Sequence, residues 1–228
     1  MTSILAAALG PDFDRLHPML QRRFGVGLDA GYACVGTGVM TSIRRGPWWT
    51  LPFLYLGAVR NILIPDVGRD VPFVIMNYPY RDPYGRETIT FVRQYQMHRR
   101  HQMHRRLRRF DATMINDRGR VIDYLGTHQH LAVDLALAVL EDGSLHITTG
   151  AQRLYEGLIG FRFPMLFSGT AELYETYDDT AEVYRVRMEV RNRVFGFLFG
   201  YEGHFRCEFP GAGPVPAGLI PVRHERRV

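Results

Sequence analysis

The most regular feature of the chain is an alternation of apolar and polar residues that runs from residue 71 to residue 209. A period of two is typical of β-strands that bury one face. Tight-turn sequences such as Asp82-Pro83-Tyr84-Gly85 separate the alternating segments. Together with one earlier segment, the pattern predicts ten strands, over residues 33–43, 71–80, 87–97, 107–115, 120–127, 131–140, 144–155, 169–177, 181–191 and 196–209.

Short connections between successive strands make neighbouring strands antiparallel, so the predicted topology is a meander. A long meander leaves two exposed edges unless it closes into a barrel. We therefore predict an all-β fold with minor helix, a meander closed into a lipocalin- or calycin-like barrel of about 8–10 strands. Closure would bring Cys34 near Cys207 as two free thiols. Residues 1–209 form the predicted single domain, and residues 210–228 form a surface or partly disordered tail.

Two helices are predicted outside the alternating region. Residues 12–24 carry apolar residues at helical spacing, with Asp12 as the predicted N-cap. Residues 47–64 are the most apolar stretch and are framed by proline. Because Pro52 and Arg60 argue against a membrane span, we expect this helix over a barrel mouth or along its side, with peripheral membrane contact as the alternative.

The composition excludes several kinds of chemistry. All 28 basic residues are arginine, so a lysine Schiff base, including one with pyridoxal phosphate, is excluded. The chain has no glycine-rich nucleotide-binding loop, no zinc-protease motif and no serine-hydrolase motif, and we predict no cofactor and no metal. The first residues do not form a signal peptide, which predicts a cytoplasmic protein with reduced thiols.

Positive charge is concentrated in residues 96–109, where Gln-Met-His-Arg-Arg occurs twice. Such a loop could bind an anion, an acidic partner, RNA or a lipid headgroup, or it could be a solvated hairpin. It lacks the stacking aromatic residues of single-strand binders, so no specific nucleic-acid partner is predicted. His98, His101 and His104 have helical spacing, but the neighbouring arginines would repel a metal ion.

Several short motifs occur in an order that resembles one protein family. They are Leu9-Gly10-Pro11-Asp12-Phe13 with Leu16, Val92-Arg93-Gln94-Tyr95, Ala171-Glu172, Val186-Arg187-Met188, Phe195-Gly196-Phe197 and Tyr201-Glu202-Gly203. The chain thereby resembles domain of unknown function family 4166, which in bacterial proteins often follows a saccharopine-dehydrogenase-like reductase domain. The resemblance implies a fold and candidate positions, at Arg93, Glu172, Tyr201 and Gly203, but no reaction.

Arg93 is the first candidate for chemistry, because it shares the apolar face of its strand with Phe91 and Tyr95. A buried arginine costs several kcal/mol unless it is paired, so a partner carboxylate is expected. The candidate partners are Asp134, Glu172 and Asp111. The pair would be either a structural ion pair or a clamp on a ligand carboxylate or carbonyl oxygen.

Tyr201 is the second candidate, because it shares an alternating face with three phenylalanines. Its hydroxyl is either satisfied inside the core or donates to a substrate oxygen. The residues predicted to bind the ligand are Phe91, Tyr95, Tyr174, Tyr184, Phe197 and Phe199. Asp134 is a third candidate; it shares a face with His130 and small residues, and the sequence does not tell which face of that strand points inward.

Two functions fit these residues. The first is a cofactor-independent isomerase or cyclase that acts on a hydrophobic, carbonyl-bearing metabolite. In it, Arg93 and Tyr201 would stabilise an oxyanion and Asp134 or Glu172 would move a proton, which makes these four the predicted catalytic residues. The second is a non-catalytic carrier of an apolar ligand, or an accessory subunit of a reductase, with the basic loop docking an acidic partner. Both predict a hydrophobic small-molecule ligand and no stable membrane insertion.

Overall fold

The computed structural model describes residues 3–97, 106–162, 169–211 and 213–228. Its strands are β1 (Cys34–Arg45), β2 (Gly68–Asn77), β3 (Pro79–Arg81), β4 (Glu87–Thr90), β5 (Val92–Met97), β6 (Arg106–Phe110), β7 (Ala112–Asp117), β8 (Arg120–Leu125), β9 (Leu131–Val139), β10 (Leu145–Glu156), β11 (Ile159–Arg162), β12 (Thr170–Asp178), β13 (Val183–Asn192) and β14 (Gly196–Glu208). The core of the basic loop, residues 98–105, lies outside the described residues.

The strands form a ring of antiparallel neighbours. Three long strands are each interrupted by one residue, at Tyr78, Phe91 and Asp111, and continue in the same direction beyond it. If each interrupted strand is counted as one, so that β2 and β3, β4 and β5, and β6 and β7 form three strands, the ten predicted strands are present in meander order. The first strand pairs with both β2 and β14, so that Ile43 lies between Gly68 and Tyr201. The predicted all-β barrel is therefore confirmed; β11 is an additional short strand that pairs with the end of β10.

The joint between β1 and β14 depends on two glycines. A Cβ atom at Gly38 would lie 2.1 Å from the carbonyl oxygen of His204, and one at Gly36 would lie 2.6 Å from the side chain of Ile75. Real Cβ atoms do not approach so closely, so the backbones meet here only because these residues lack a side chain.

Two short helices close one end of the barrel, called here the α1–α2 end. They are α1 (Ile4–Leu9) and α2 (Pro18–Phe24), joined by a 3₁₀ turn over Gly10–Arg15. The prediction of a single helix over residues 12–24 was wrong, because a proline disfavours helical backbone in the residue before it. The N-cap of α2 is accordingly His17, not Asp12, and its ring nitrogen accepts from the Met19 amide.

A third helix lies across the opposite end, called here the α3 end. This helix, α3 (Leu51–Val59), follows a 3₁₀ turn at Trp48–Thr50 and is shorter than predicted, because the chain turns through Asn61 with a positive φ of 57°. Leu56 and Gly57 border the barrel cavity, so the helix covers the mouth and does not run along the side. No helix in the described parts of the chain is long and apolar enough to cross a membrane.

The C-terminal tail packs on the outer wall of the barrel. Beneath it is a small apolar cluster on the outer faces of β7 to β10 that includes Tyr124 and Tyr155. The tyrosine hydroxyls donate to the carbonyl oxygens of Arg227 and Val228. The strands of this wall are therefore buried on both faces, by the barrel interior and by the tail.

Candidate functional site

The barrel encloses a cavity of about 360 Å³ with mainly apolar walls. Leu5 and Phe24 border it at the α1–α2 end, and Leu56 borders it at the α3 end. This volume falls in the range of small-molecule sites. Among the described residues, the ionisable side chains on its walls are Arg60, Arg93, Asp123, His130, Glu156, Glu175 and Tyr201.

Arg93 points into this cavity, as the alternation of its strand predicts. It is buried, and its guanidinium carbon lies 5.3 Å from the centre of the Phe110 ring and 5.9 Å from that of Phe91. Within the described residues, no hydrogen bond or ion pair holds its guanidinium. The expected partner carboxylates are engaged elsewhere or face outward. The carboxylate whose charge acts on Arg93 is that of Asp123, which was not among the partners predicted from the sequence.

Asp123 occupies the inner face of β8. It is buried, and its Oδ1 atom has no hydrogen-bond partner among the described residues. Burial raises the pKa of Asp123 to about 7, although the positive charge of Arg93 acts in the opposite direction. The carboxyl group therefore divides between its neutral and charged forms near neutral pH, as a proton-transfer group requires.

Two tyrosines lie beside Arg93. The ring centres of Tyr95 and Tyr201 are 6.2 Å apart, and both residues are buried. Burial raises the pKa of Tyr95 well above its usual value, so this phenol stays neutral. The Tyr95 hydroxyl is next to Tyr201 but makes no hydrogen bond of good geometry with any described residue. Tyr201 lines the cavity together with the predicted Phe91 and Phe199.

Three predicted site residues lie on the outside of the barrel. Asp134 is held in an outer ion pair by Arg153, whose Nη1 is 3.0 Å from its Oδ2, because the apolar residues on either side of Asp134 point inward. Glu172 is exposed, since its neighbours in β12 face the cavity. Tyr174 stacks on His146 at 4.3 Å between ring centres, also on the outer face.

Phe197 is likewise outside, and the reason is a bulge. The pairing of β13 with β14 shifts between Val190 and Arg191, so Leu198 turns inward and Phe197 turns outward. The Phe197 ring then lies beneath arginines of the outer surface, 5.5 Å from the guanidinium carbon of Arg44. The simple alternation along β14 fails only at this end.

Tyr184 is inside the barrel but away from the cavity. Its hydroxyl donates to the carbonyl oxygen of Met19, at 3.0 Å, and its ring stacks on Phe205. It therefore anchors α2 at the α1–α2 end. None of its atoms borders the cavity in the described structure.

A second buried polar cluster forms under α2. Arg23 pairs with Glu175, and its Nη1 atom lies 2.9 Å from Asn77 Oδ1 and 3.4 Å from the sulfur of Cys34. The free thiol of Cys207 lies beside the same guanidinium, as the predicted closure of the barrel requires. A hydrogen bond from Cys207 and the charge of Arg23 lower the pKa of Cys34 to about 7, despite its burial.

His130 and Glu156 form a polar pair near the α3 end. The Nδ1 atom of His130 is 2.7 Å from Glu156 Oε2, and burial lowers the pKa of the imidazole. Within the described residues, no three histidine, cysteine or acidic side chains are arranged to hold a metal ion. The histidines at 98, 101 and 104 lie outside those residues.

Asp123, Glu175 and Arg23 were missed from the sequence for different reasons. Asp123 alternates with Val121 and Leu125, but Ile122 and Tyr124 between them are also apolar, so the pattern does not identify the inner face of this strand. Glu175 alternates with inward residues of β12 in the same way. Arg23 carries no comparable signal, because its helix is short and its apolar face is narrow.

Comparisons with known proteins identify the family of the chain. The family model of the Domain of unknown function DUF4166 matches residues 16–205. The Uncharacterized protein YndH of Bacillus subtilis (strain 168) is 32% identical over 201 residues, which cover 86% of this chain and 93% of that protein. No solved structure matches the chain. With a family match over most of its length and a relative of this similarity, the chain belongs to the DUF4166 family.

Proposed function

We propose that the barrel binds an apolar small molecule carrying one carbonyl or carboxylate group, with the oxygen of that group on Arg93. The observation that carries this proposal is a buried guanidinium, without a hydrogen-bond partner among the described residues, on the wall of a mainly apolar cavity. An unpaired buried charge is costly, and a ligand oxygen would supply the missing contact. Arginine suits this role because its planar group can hold two oxygens at once.

The rest of the site fits such a ligand. Tyr201 lines the cavity beside Arg93, and its hydroxyl is a second donor for the ligand oxygen, while Tyr95 packs beside Tyr201. The apolar walls would exclude water and bind the hydrocarbon part of the molecule. Neither feature requires catalysis, so a carrier or an accessory binding subunit is consistent with the site.

A second candidate, a cofactor-independent isomerase or cyclase, is favoured by Asp123. Its pKa of about 7 allows it to give or take a proton at neutral pH, and it lines the same cavity as Arg93, whose charge acts on it. In this version Arg93 and Tyr201 stabilise a developing oxyanion, and Asp123 takes the proton-transfer role that the sequence assigned to Asp134 or Glu172. The barrel would hold a flexible substrate folded, which lowers the entropic part of the barrier.

The first test is binding of 1-pyrenebutyric acid, an apolar fluorescent carboxylate, compared with its neutral methyl ester. Arg93→Gln should weaken binding of the acid by about 10- to 100-fold, the usual worth of a hydrogen bond to a charged group, and should affect the ester much less. Arg206→Gln, which removes the same charge from the outer surface, is the matched control. Equal binding of the acid by Arg93→Gln and the wild type would contradict the proposal.

Native mass spectrometry with organic extraction of the protein from its own host would identify the natural ligand. The extracted compound, returned to the empty protein, separates the two candidates. Conversion to a new compound that Asp123→Asn abolishes while binding persists indicates an enzyme. Unchanged recovery of the compound indicates a carrier.

A further inference from the structure

The α3 end of the barrel carries large apolar side chains that face solvent. Five of them belong to the segment around α3, namely Trp48, Trp49, Tyr55, Leu56 and Val59. Val59 is 77% exposed and Leu158, at the turn between β10 and β11, is fully exposed. Such exposure of large apolar residues in neighbouring segments marks an interaction surface.

Three segments contribute to this surface, and the strand pairing places them at one end of the barrel. The segment 44–60 leaves β1 where Arg45 pairs with Phe199. The segment 157–162 follows the end of β10, and the segment 193–197 contains the turn between β13 and β14 with the first two residues of β14. We call these three segments the α3-end rim.

The composition of α3 itself is unusual for a helix at a water boundary. Its sequence, Leu-Pro-Phe-Leu-Tyr-Leu-Gly-Ala-Val, is apolar on all sides, whereas a helix on a water-exposed surface normally has a polar face. Leu54 is completely buried, while Tyr55 and Leu56 are exposed. A helix of this kind requires another apolar phase on its outer side.

The charge of the rim is of one sign. Its three segments contain no aspartate or glutamate and carry arginine at positions 44, 45, 60, 162 and 193. One of these, Arg44, pairs with Glu189 of the outer wall. The others give the apolar surface a mainly positive border, beside which Glu156, the last residue of β10, pairs with His130.

We propose that the α3-end rim docks on the surface of an anionic lipid bilayer. Tryptophan and tyrosine rings favour the boundary between headgroups and acyl chains, where Trp48, Trp49 and Tyr55 would lie. Leu158 and Val59 would enter the upper acyl region, and the arginines would contact anionic headgroups. A second copy of the chain is a poor occupant, because a symmetric contact would place two positive borders against each other.

The docked orientation has a consequence for the cavity. Leu56 and Gly57 belong to the rim and also border the cavity, so the mouth would face the bilayer. An apolar molecule could then pass between bilayer and barrel without entering bulk water. Docking itself goes beyond the proposed ligand binding and does not depend on it.

The two tryptophans of the chain, Trp48 and Trp49, are both in the rim, so intrinsic fluorescence reports docking directly. The test adds phosphatidylcholine vesicles, with or without phosphatidylglycerol, to the full chain. Vesicles with phosphatidylglycerol should shift the tryptophan emission to shorter wavelength and carry the protein upward in a flotation gradient. Added salt should weaken this binding, because it screens the headgroup charge.

Two pairs of variants locate the contact. Leu158→Asp should abolish flotation, while Ala181→Asp, which adds the same charge in an exposed turn at the α1–α2 end, should leave it unchanged. Arg193→Gln should weaken binding about fivefold, the usual effect of one basic residue near an anionic surface, and Arg81→Gln at the opposite end should not.

Three results would overturn the proposal. One is no binding to vesicles that contain phosphatidylglycerol. Another is binding that Leu158→Asp does not reduce, which would place the contact elsewhere on the chain. The third is a dimer in gel filtration that Leu158→Asp dissociates, which would assign the rim to a second copy. Pyrenebutyrate binding is measured on Leu158→Asp as well. If this variant binds pyrenebutyrate but the protein does not dock on vesicles, only the docking proposal fails and the proposed function stands.

Discussion

At the scale of single residues, the barrel interior is defined by which charged side chains point inward. The position of Arg93 could be predicted because its strand alternates cleanly. That of Asp123 could not, because β8 has apolar residues on both faces: Val121 and Leu125 face the interior, and Ile122 and Tyr124 lie under the C-terminal tail. An alternating pattern identifies the inner face only where the outer face is in water.

The first prediction concerns Asp123 and pH. Its pKa is about 7 in the folded protein and near the ordinary value of 3.8 when unfolded, so the folded form holds the proton across that window. The free energy of unfolding should therefore fall as pH rises through the window, by about 1.4 kcal/mol for each unit. Asp123→Asn should remove this slope and be more stable than the wild type at pH above 7, measured by urea denaturation across the pH range.

Asp134→Asn is the control for that experiment, because the surroundings of Asp134 lower its pKa whereas those of Asp123 raise it. The hydrogen bonds from Arg153 lower the pKa of Asp134, so this carboxylate stabilises the fold above its unfolded pKa and loses that effect as pH falls. Its replacement should lower stability at neutral pH. A steeper dependence in Asp123→Asn than in the wild type would contradict the assignment of the buried carboxyl.

At the scale of elements, the order of the strands could be predicted from the short turns between them. The positions where strands are interrupted or bulged could not. The ten strands and their meander were predictable because each connection is short and carries turn residues. The bulge that turns Phe197 outward has no signal in the local pattern, because Phe197, Leu198 and Phe199 are all apolar and hide the change of phase that an inserted residue causes. The divided N-terminal helix was predictable in principle, because Pro18 stands where helical backbone would have to continue.

The second prediction tests the close approach at β1. Gly38→Ala should lower the free energy of unfolding by about 1–3 kcal/mol, because a methyl group there meets the backbone of β14 and forces the strands apart. Gly213→Ala, where a Cβ has open space, should change stability by less than about 0.5 kcal/mol. The two variants are compared by urea denaturation. Equal stabilities would show that the strands can separate without loss.

At the scale of the whole molecule, the tail acts as a second layer on one wall. The guanidinium of Arg86 donates to the carbonyl oxygen of Glu225 at 2.6 Å, and the amide of Glu225 donates to Gln129. These contacts fix the tail over Tyr124 and Tyr155. The glycine and proline residues after residue 210 predict a surface tail. The contacts of residues 225–228 could not be predicted, because their partners lie on strands and turns that come together only in the closed barrel.

The third prediction follows from this layer. Removal of residues 221–228 should lower the free energy of unfolding by at least about 2 kcal/mol, because it exposes two buried tyrosine rings. Thermal denaturation followed by circular dichroism measures the loss, with Arg226→Ala, an exposed position in the same tail, as the control. Pyrenebutyrate binding should persist, since the cavity lies on the other side of the wall. Loss of binding together with unchanged stability would contradict this account.

The joint between β1 and β14 also determines when the cavity can exist during synthesis. Val35 pairs with Glu208, so the ring closes only after Glu208 has left the ribosome. Until then the nascent protein is a curved open sheet with two unpaired edges and an exposed apolar inner face, the kind of species that folds slowly and aggregates readily. Binding of a ligand therefore cannot assist the early steps of folding, because the cavity forms only when β14 pairs with β1 and closes the barrel.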